Sequence, residues 1–475
     1  MMKKLFLMMQ LSALCMVANA GGLMTNTNYH IAFDRMMARG ATMEIDGVYS
    51  NPAGLVWGHE GWQLSLNFQK PWQNRDIKTH VDGFLGSDFD QKYKGKASAP
   101  IVPALFAVYK HDRWAVSSML GIVGSGGFVQ YDDGVPMFNI PIAAKLAQGG
   151  VMPAQYTLDS QMKGKQYIYG WQTNFSYKFH ENFSAAVGVR VNYYDGYYRG
   201  HVVATPGAAL ATVVGTNPLI NLQLDCLQRG WGVAPIISVN YHKGPLTLSA
   251  RYEFRTAIST KNDTKTLLVG MTGAGMNGAT GYYETDVKAT ADMIGTEATV
   301  QALSGQMGEM AGKVAPYLPN EKTRYDMPAL FVLAAGYEFT PKLRAMIEYH
   351  FFDDRHAKMG GDRQKTLKDG THEFLAGVEY DINKKFTVSV GGQRTDYGLK
   401  DDYQTHTSFA CDSYSVGLGG AYNINERIRL NVSYFCSIYD DYTKKTSAYQ
   451  GTPYPGTDVF SRTNHVVGVG IDYKF

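Results

Sequence analysis

The sequence lacks a long hydrophobic run. Beyond the N-terminus of this 475-residue chain, no stretch approaches the roughly 18 consecutive apolar residues that suggest a membrane-spanning helix. We therefore exclude a helical membrane protein. Intrinsic disorder is excluded as well, because 45% of the residues are hydrophobic, 13% are aromatic and the formal net charge is only +3. A soluble enzyme of two or three domains and a transmembrane β-barrel, whose alternating strands escape hydropathy averages, both remain.

Cysteine and excess charge are also scarce. One of the four cysteines, Cys15, falls in the N-terminal apolar stretch, which leaves Cys226, Cys411 and Cys436. This small, odd number argues against a disulfide-stapled scaffold. We expect three free, partly buried thiols, with a Cys411–Cys436 bridge as the alternative. No C-x-x-C pair supports a zinc or redox motif, and the nearly balanced charge offers no basic surface to nucleic acid.

The N-terminus has the features of an export signal. Lys3 and Lys4 precede an apolar stretch that ends near Val17, and Ala18-Asn19-Ala20 has the small residues of a cleavage site. This combination predicts a secretory signal peptide over residues 1–20, with the mature chain beginning at Gly21.

Strict alternation of apolar and polar residues marks the mature chain. At its end, odd positions from His465 to Phe475 are mostly apolar, and even positions from Asn464 to Lys474 are mostly small or polar. Period-2 patterns of this kind predict β-strands. The pattern recurs four more times, at 183–193, 246–254, 343–351 and 428–434. Extended to their flanking turns, these strands reach about 11 to 17 residues, far longer than the soluble mean of 5 to 6 and long enough for a tilted membrane strand.

Short turns fix the number of strands. Each follows a strand that ends in aromatic residues, as an interfacial aromatic girdle requires. The six tight turns lie at 110–113, 180–182, 242–245, 340–342, 381–385 and 423–427. Six short turns, with both termini at the same end, predict an all-β, 14-stranded antiparallel transmembrane β-barrel over residues 61–475. Longer loops occupy the other end, the largest near 126–164, 200–228 and 261–324, and residues 21–60 precede the barrel as a lumen plug.

Part of the predicted lumen is apolar. Residues 101–109 and 329–335 are apolar on both faces, so one face of each strand must point inwards. We expect either that a hydrophobic ligand contacts these strands in the lumen or that the same residues pack against the plug. Three stretches of the long loops, 138–152, 208–224 and 290–318, are also apolar, which predicts either a hydrophobic landing site or a structural cap. The candidate ligand contacts are Phe106, Val108, Leu330 and Val332.

The segment before the barrel carries a short motif, Asn51-Pro52-Ala53, preceded by Ala38-Arg39-Gly40-Ala41 and Asp46-Gly47. With the 14 strands, the large apolar loops and the terminal aromatic strand, the whole mature chain resembles the FadL/TodX family of outer-membrane long-chain fatty-acid and hydrocarbon transporters. The resemblance implies a passive transporter. A ligand is captured at the external loops, passes to a pocket beside an N-terminal hatch and leaves laterally through the barrel wall.

The resemblance also assigns roles to particular residues. Asn51, Pro52 and Ala53 would belong to the hatch, and Asp396 would be an acid that contacts it. The lateral exit would be a gap where the third strand kinks inwards, and glycines inside a strand favour such a bend. An ordinary bulge or strand end is the alternative. The candidate glycines are Gly121, Gly124, Gly126 and Gly127.

Four arginines are candidates for binding the carboxylate of a fatty acid, because guanidinium matches carboxylate in bidentate geometry. They are Arg190, Arg199, Arg251 and Arg344. Arg199 has outward parity unless a bulge intervenes. The alternative for each is an ion pair with a lumen acid such as Glu253 or Glu348.

An enzyme is not expected, because the chain has no G-x-S-x-G and no H-E-x-x-H motif. We expect neither a cofactor nor a metal. The predicted partners are a long-chain fatty acid or another hydrophobic small molecule, outer-membrane lipids and, through Phe475, the barrel assembly machinery of a Gram-negative outer membrane. A general or polar-solute porin, or an adhesive or structural barrel, remains the alternative.

Overall fold

A computed structural model describes residues 23–274, 280–307 and 315–475. The signal peptide predicted over residues 1–20 lies outside this part of the chain. The strands are β1 (Gly61–Val81), β2 (Phe89–Ser98), β3 (Val102–His111), β4 (Trp114–Tyr131), β5 (Tyr156–His180), β6 (Phe183–Pro206), β7 (Ile220–Lys243), β8 (Leu246–Glu253), β9 (Ser259–Ala274), β10 (Thr280–Asp286), β11 (Lys322–Arg324), β12 (Leu330–Thr340), β13 (Leu343–Phe352), β14 (Thr371–Asp381), β15 (Phe386–Asp396), β16 (Ser413–Asn423), β17 (Ile428–Tyr439), β18 (Tyr442–Thr446) and β19 (Gly456–Lys474).

The sheet closes on itself. β1 pairs with β2 and β3 on one side and with the last strand, β19, on the other. Four pairs of segments each continue one strand position: β2 with β3, β8 with β9, β11 with β12, and β17 with β18. β10 folds back on β9 outside the ring. The described strands therefore form a closed, antiparallel barrel with 14 positions, which confirms the predicted fold class.

The barrel wall is apolar outside and mainly polar inside. Along β1, Trp62 and Phe68 are exposed, whereas Ser65 and Asn67 are buried. The same alternation follows the other long strands, and aromatic side chains such as Phe339 stand exposed at the short-turn end. This is the inverse of a soluble β-sandwich, and it suits an outer surface in hydrocarbon.

Short helices connect or fill the barrel. The α-helices are α1 (Ile31–Met36), α2 (Gly47–Ser50), α3 (Pro136–Gln148), α4 (Ala208–Val214), α5 (Val287–Ile294) and α6 (Thr296–Met307). The 3₁₀ turns are Pro52–Trp57, Phe84–Gly86, Pro153–Gln155, Ala315–Tyr317, Asp354–His356, Gly360–Thr366, Asp401–Tyr403 and Tyr449–Gly451. Among the described helices, none has both the length and the apolar character needed to cross a membrane.

The segment before β1 lies inside the barrel. Residues 23–58, which we call the plug segment, are buried almost throughout. Helix α1 contacts β1, β19 and the strands from β14 to β17, whereas the turn Pro52–Trp57 contacts the strands from β3 to β7. The plug segment therefore spans the lumen and touches both sides of the wall.

Strands extend further than the alternation pattern indicated. Parts of the three largest predicted loops are strand, because β5, β6 and β7 run on as a paired ribbon beyond the short barrel strands and β9 continues beside β7. Helices α5 and α6 occupy much of the apolar stretch 290–318, of which residues 308–314 lie outside the described part. Cys226, Cys411 and Cys436 are free thiols, so the alternative of a Cys411–Cys436 bridge does not hold.

Candidate functional site

Paired charges hold the plug segment to the barrel wall. Arg35, on helix α1, donates to Glu379 of β14, and both side chains are fully buried. The backbone N–H groups of Arg39 and Gly40 each donate to a Glu348 carboxylate oxygen at 2.8 Å. Buried charges need such partners, because an unpaired ion in a low-dielectric interior is strongly unfavourable.

Arg39 also organises the plug internally. Its Nε donates to Asp46 at 2.6 Å, and its Nη2 donates to Thr42 and Glu44, each at 2.7 Å. A single side chain thus ties together the turn between α1 and α2. Residues 39–46 therefore form a compact turn held by its own side-chain hydrogen bonds.

The Asn-Pro-Ala motif lies where the plug meets β5, β6 and β7. The Asn51 Nδ2 donates to the Thr42 carbonyl at 2.9 Å and to Asn240 Oδ1 at 2.7 Å. Its Oδ1 accepts from the Gly54 N–H, which caps the following turn. The next two carbonyls accept from wall hydroxyls: Ser176 donates to Pro52, and Ser184 donates to Ala53. All three motif residues therefore join plug to wall.

The structure corrects the assignment of Asp396. Its side chain is exposed at the end of β15, where the alternation points it away from the lumen, and it accepts from the Gly398 N–H. The wall acids that contact the plug are Glu348, Glu379 and Asp472. All three occupy inward positions of their strands, so parity was the signal that could have identified them.

The four candidate arginines have protein partners. Arg190 and Arg251 both donate to Glu253 in the lumen. Arg344 donates to Glu379 and, at 2.7 Å, to Asp381. These three arginines therefore form ion pairs within the protein, which was the alternative to binding a ligand carboxylate.

Arg199 is different, because it points out of the barrel wall. Its Nε donates to Asp225 at 2.8 Å. This position corrects its assignment as a lumen residue and agrees with its outward parity.

The four apolar candidates point inwards and are buried. Phe106 and Val108 join the cluster that contains Leu23, Met24 and Tyr29 of the plug. They lie at the boundary between wall and plug, which agrees with the alternative that these residues pack against the plug. Leu330 and Val332 instead form a small separate cluster with Phe352.

Strand β4 loses contact with the preceding strand over a short stretch. Ladder pairs between β3 and β4 end at Gly121, and pairs between β2 and β4 begin at Phe128. On the β5 side, the register shifts twice, between Ile122 and Gly124 and between Gly124 and Gly127. All four candidate glycines lie at or within this β4 break, which we define as residues 121–127.

The plug segment pairs with the β4 break. The Asn26 N–H donates to the Val123 carbonyl at 3.1 Å, and Thr25 forms a β-bridge with Gly124. A Cβ atom at Gly124 would come within 2.3 Å of the Met24 carbonyl oxygen. Only glycine permits this approach, so the backbone hydrogen bonds that β4 lacks towards its neighbour are partly replaced by the plug.

An apolar groove lies at the long-loop end. It forms between helix α3 and the ribbon of β5, β6, β7 and β9, and its lining is almost entirely apolar. Its apolar lining residues are Phe138, Met162, Val202, Leu222, Leu224, Leu267, Leu268 and Val269. These side chains are buried or half-buried, and an apolar groove of this kind favours binding of a hydrophobic molecule.

The short-turn end is polar by contrast. A cavity of about 620 Å³ there is bounded by the plug residues Arg39 and Glu44 and by Lys342, Arg344 and Arg429 of the wall. The plug segment thus lies between an apolar groove at one end and a charged vestibule at the other.

Comparisons with known proteins agree on the fold. No protein-family model and no curated sequence matches the chain. Among solved structures, a Pseudomonas aeruginosa FadL homologue superimposes with a TM-score of 0.65 at 15% identity, over 98% of this chain and 100% of that one. The Pseudomonas putida toluene transporter TodX gives 0.54 at 12% identity, over 98% and 100%. A TodX variant described as a monoaromatic hydrocarbon channel gives 0.57 at 14%, over 94% and 99%. This chain therefore has the FadL/TodX type of barrel fold.

Proposed function

We propose that this protein is a passive outer-membrane transporter for long-chain fatty acids or related hydrophobic compounds. The β4 break carries the proposal, because it is a place where the wall of a plugged barrel loses its inter-strand pairing. A solved structure of the same fold, the toluene transporter TodX, supports a hydrophobic cargo. The location follows from the apolar outer wall, and an exported barrel of this kind belongs to a Gram-negative outer membrane.

Capture would occur at the apolar groove. A hydrophobic molecule that reaches the long-loop end gains about 0.8 kcal/mol for each CH₂ removed from water. The groove lies on the ribbon of long strands, which leads towards the plug. No chemical conversion is involved, so the chain acts as a transporter rather than an enzyme.

Release would occur laterally through the β4 break, past the plug segment acting as a hatch. A route straight through the charged vestibule would return each CH₂ to water, whereas a route through the wall leads to hydrocarbon. Movement of residues 24–26 would uncover the backbone groups of Val123 and Gly124. Outer-membrane lipids would then receive the ligand. The exposed terminal Phe475 is proposed as the contact for the barrel assembly machinery.

Uptake by cells with and without the chain tests this function. We expect cells that contain the protein to accumulate radiolabelled long-chain fatty acid faster than cells that lack it, while purified protein in planar bilayers conducts little current. Equal uptake, together with a large open-pore conductance, would establish the porin alternative instead.

A further inference from the structure

Basic residues follow the apolar part of the outer wall towards the long-loop end. Along β5, the outward side chains from Phe179 to Tyr167 are mostly aromatic, and the next two outward side chains are Lys165 and Lys163. At about 3.3 Å per residue and a tilt of about 40°, the aromatic stretch covers roughly 30 Å, the thickness of a hydrocarbon core. The two lysines therefore lie at the level of lipid headgroups.

The neighbouring strands show the same order. On β6 the outward Tyr193 is followed towards the long-loop end by Arg199, and on β7 the outward Trp231 is followed by Arg229. The ring centres of Tyr193 and Trp231 lie 4.4 Å apart, and aromatic rings at this level are typical of a membrane interface. Exposed lysines continue the row on β9 and β11. We call the six cations the basic band: Lys163, Lys165, Arg199, Arg229, Lys261 and Lys322.

The strand register places like charges of the basic band opposite each other. Lys163 is directly opposite Arg199 in the ladder of β5 and β6. Lys261 of β9 is opposite Arg229 of β7 on one side and opposite Lys322 of β11 on the other. Like charges in directly opposite positions destabilise a sheet. The arrangement is therefore more stable with an anion between the strands than without one.

Carboxylates of the wall neutralise the basic band only in part. Asp195 is shared between two cations, with one oxygen 2.6 Å from the Lys165 Nζ and the other 3.3 Å from the Arg229 Nε. Asp225 lies 2.8 Å from the Arg199 Nε. Six cations thus face two carboxylates, which leaves a net charge of +4.

Three lysines of the basic band form no ion pair within the described part of the chain. They are Lys163, Lys261 and Lys322. The next acid along β9, Asp263, pairs with Lys265 outside the band, at 2.8 Å. Half of the basic band is therefore free to bind an anion that the protein does not supply.

Aromatic rings hold two of the paired cations at the wall. The Tyr197 ring centre lies 5.4 Å from the Lys165 Nζ and 4.5 Å from the Arg199 guanidinium carbon. Contact with a ring face orients a cation and leaves N–H donors for another partner. The outer wall thus combines an apolar surface that suits acyl chains with cationic donors at headgroup level.

We propose that the basic band binds the phosphate groups of an acidic lipid, whose acyl chains lie on the adjoining apolar wall. Basic residues beside a membrane surface attract anionic lipids. Phosphate suits the band because its several oxygens can accept hydrogen bonds from cations on adjacent strands at once. In a Gram-negative outer membrane, this lipid is the phosphorylated glycolipid of the outer leaflet. The inference rests on the outer-membrane location in the proposed function and adds a lipid site outside the lumen.

The test compares phosphorylated lipid A with the same lipid after removal of its phosphates. Binding of each lipid to the purified protein in detergent is measured by native mass spectrometry. We expect the phosphorylated lipid to bind roughly tenfold more tightly or better, as for charge-assisted hydrogen bonds. The preference should weaken as salt is added, because salt screens exposed charges.

The decisive variant is Lys163→Gln combined with Lys261→Gln. Neither lysine has a carboxylate partner in the described part of the chain, so their removal leaves no acid unpaired. We expect the preference for the phosphorylated lipid to fall several-fold. Lys163→Arg combined with Lys261→Arg keeps the charge and should keep the preference. The matched control is Lys384→Gln combined with Lys385→Gln, which removes the same charge from exposed positions in a short turn at the opposite end.

Four results would overturn the lipid site. They are equal binding of the two lipids, a preference that K163Q/K261Q leaves unchanged, an equal loss of preference in K384Q/K385Q, and complete displacement of the lipid by inorganic phosphate but not by sodium chloride at the same ionic strength. The last result would show that the acyl chains contribute nothing. Self-association without lipid that K163Q/K261Q abolishes would identify a second copy of the chain as the occupant instead.

Failure of the lipid site and failure of transport give different results. If the two lipids bind equally and cells take up fatty acid only when the protein is present, the transporter stands and the lipid site is wrong. If the phosphorylated lipid is preferred and uptake does not depend on the protein, the lipid site stands and transport is wrong.

Discussion

Buried charges mark the boundary between the plug and the barrel wall. Glu379 accepts hydrogen bonds from Arg35 of the plug and from Arg344 of the wall. This one carboxylate of β14 therefore links the plug to the wall. Removing one partner of such a pair costs more than the pair itself contributes, because the remaining ion stays buried. The docked position of the plug therefore depends on individual residues.

Arg39→Met tests this dependence. The substitution leaves Asp46 buried without its cation, so we expect a loss of about 3–5 kcal/mol in the stability of the docked plug. The measurement is ion conductance of the purified protein in planar bilayers, which should rise. Lys288→Met is the control, because its pair with Asp292 lies on the exposed surface of α5, where an ion pair contributes little to stability. Equal conductance of the two variants would contradict the role of Arg39.

Asp354 gives a pH dependence. Its carboxylate is buried in the turn after β13, where it accepts from the Thr371 N–H and hydroxyl, and burial raises its pKa to about 7. The folded protein keeps this proton while the unfolded chain loses it near pH 4. Stability should therefore fall as pH rises from about 4 to 7 and then level off.

Asp354→Asn removes this pH-dependent loss. We expect the variant to gain stability relative to wild type between pH 5 and pH 8, by roughly 2 °C or more in the unfolding midpoint in detergent. Asp402→Asn, at an exposed loop position, should show no such change. A difference between D354N and wild type that is the same at both pH values would rule out titration of Asp354.

At the residue scale, the sequence could predict which side chains face the lumen but not which ion pairs they form. Period-2 parity placed Arg190 and Arg251 in the lumen and warned that Arg199 faces outwards. Glu253 was among the expected partners, but parity could not show that it pairs with both arginines, because its contact with Arg190 joins β6 to β8 across β7. The pairing of Arg75 with Arg462 was missed for the same reason, because β1 and β19 meet only where the barrel closes.

At the scale of elements, β4 differs most from its neighbours. Its glycines allow the chain to leave the ladder and to accept the plug segment. The alternative of an ordinary bulge accounts for the register shifts with β5 but not for the bridge between Thr25 and Gly124.

Gly124→Val should separate the plug from the β4 break. The added Cβ would collide with the Met24 carbonyl oxygen at 2.3 Å, so Met24 must move. We expect a several-fold change in fatty-acid uptake, measured in cells with matched amounts of folded barrel. Gly121→Ala is the control on the same strand, since its Cβ would meet Ala104 at an ordinary 3.5 Å. Wild-type uptake by G124V would count against the break as part of the route.

Asn51→Ala tests the other attachment of the plug. The variant loses the hydrogen bonds to Thr42 and Asn240 and the cap on Gly54, which together stabilise the docked plug by about 2–3 kcal/mol. We expect faster proteolysis of the plug segment in otherwise folded barrels. Asn74→Ala, on the exposed face of β1, should leave the cleavage rate unchanged. If both variants are cleaved at the wild-type rate, the motif does not hold the plug.

Element lengths were the least predictable feature. Alternation and tight turns located all 14 barrel positions, because one face of each strand meets an apolar medium. Beyond the barrel, one face of β5 and β6 stays buried while the other is half-buried rather than exposed, so neither face meets a uniform apolar medium. Their sequences therefore lose the strict alternation and look like loops.

At the scale of the whole molecule, the distribution of apolar and polar residues is the reverse of that in a soluble protein. The outer wall of the barrel is apolar, its inner wall is mainly polar with an apolar section around Phe106 and Val108, and the lumen is filled by a segment that is anchored by charges. The average composition resembles that of a soluble protein because it combines these opposite surfaces. The sequence could predict this architecture, a hydrophobic cargo and the glycines of the β4 break, whereas the groove, the bridge between the plug and Gly124 and the charged vestibule depend on how distant segments assemble.

The central claim is that a hydrophobic ligand enters at the apolar groove and leaves through the wall at β4. Photolabelling with a diazirine-bearing fatty acid, mapped by mass spectrometry on the protein in outer membranes, tests it most directly. We expect labelled residues in the groove, at Met162 or Leu224, and around the β4 break, at Met24 or Val123. Labelling confined to lipid-facing residues of the outer wall, such as Val187 and Phe339, would contradict a route through the barrel.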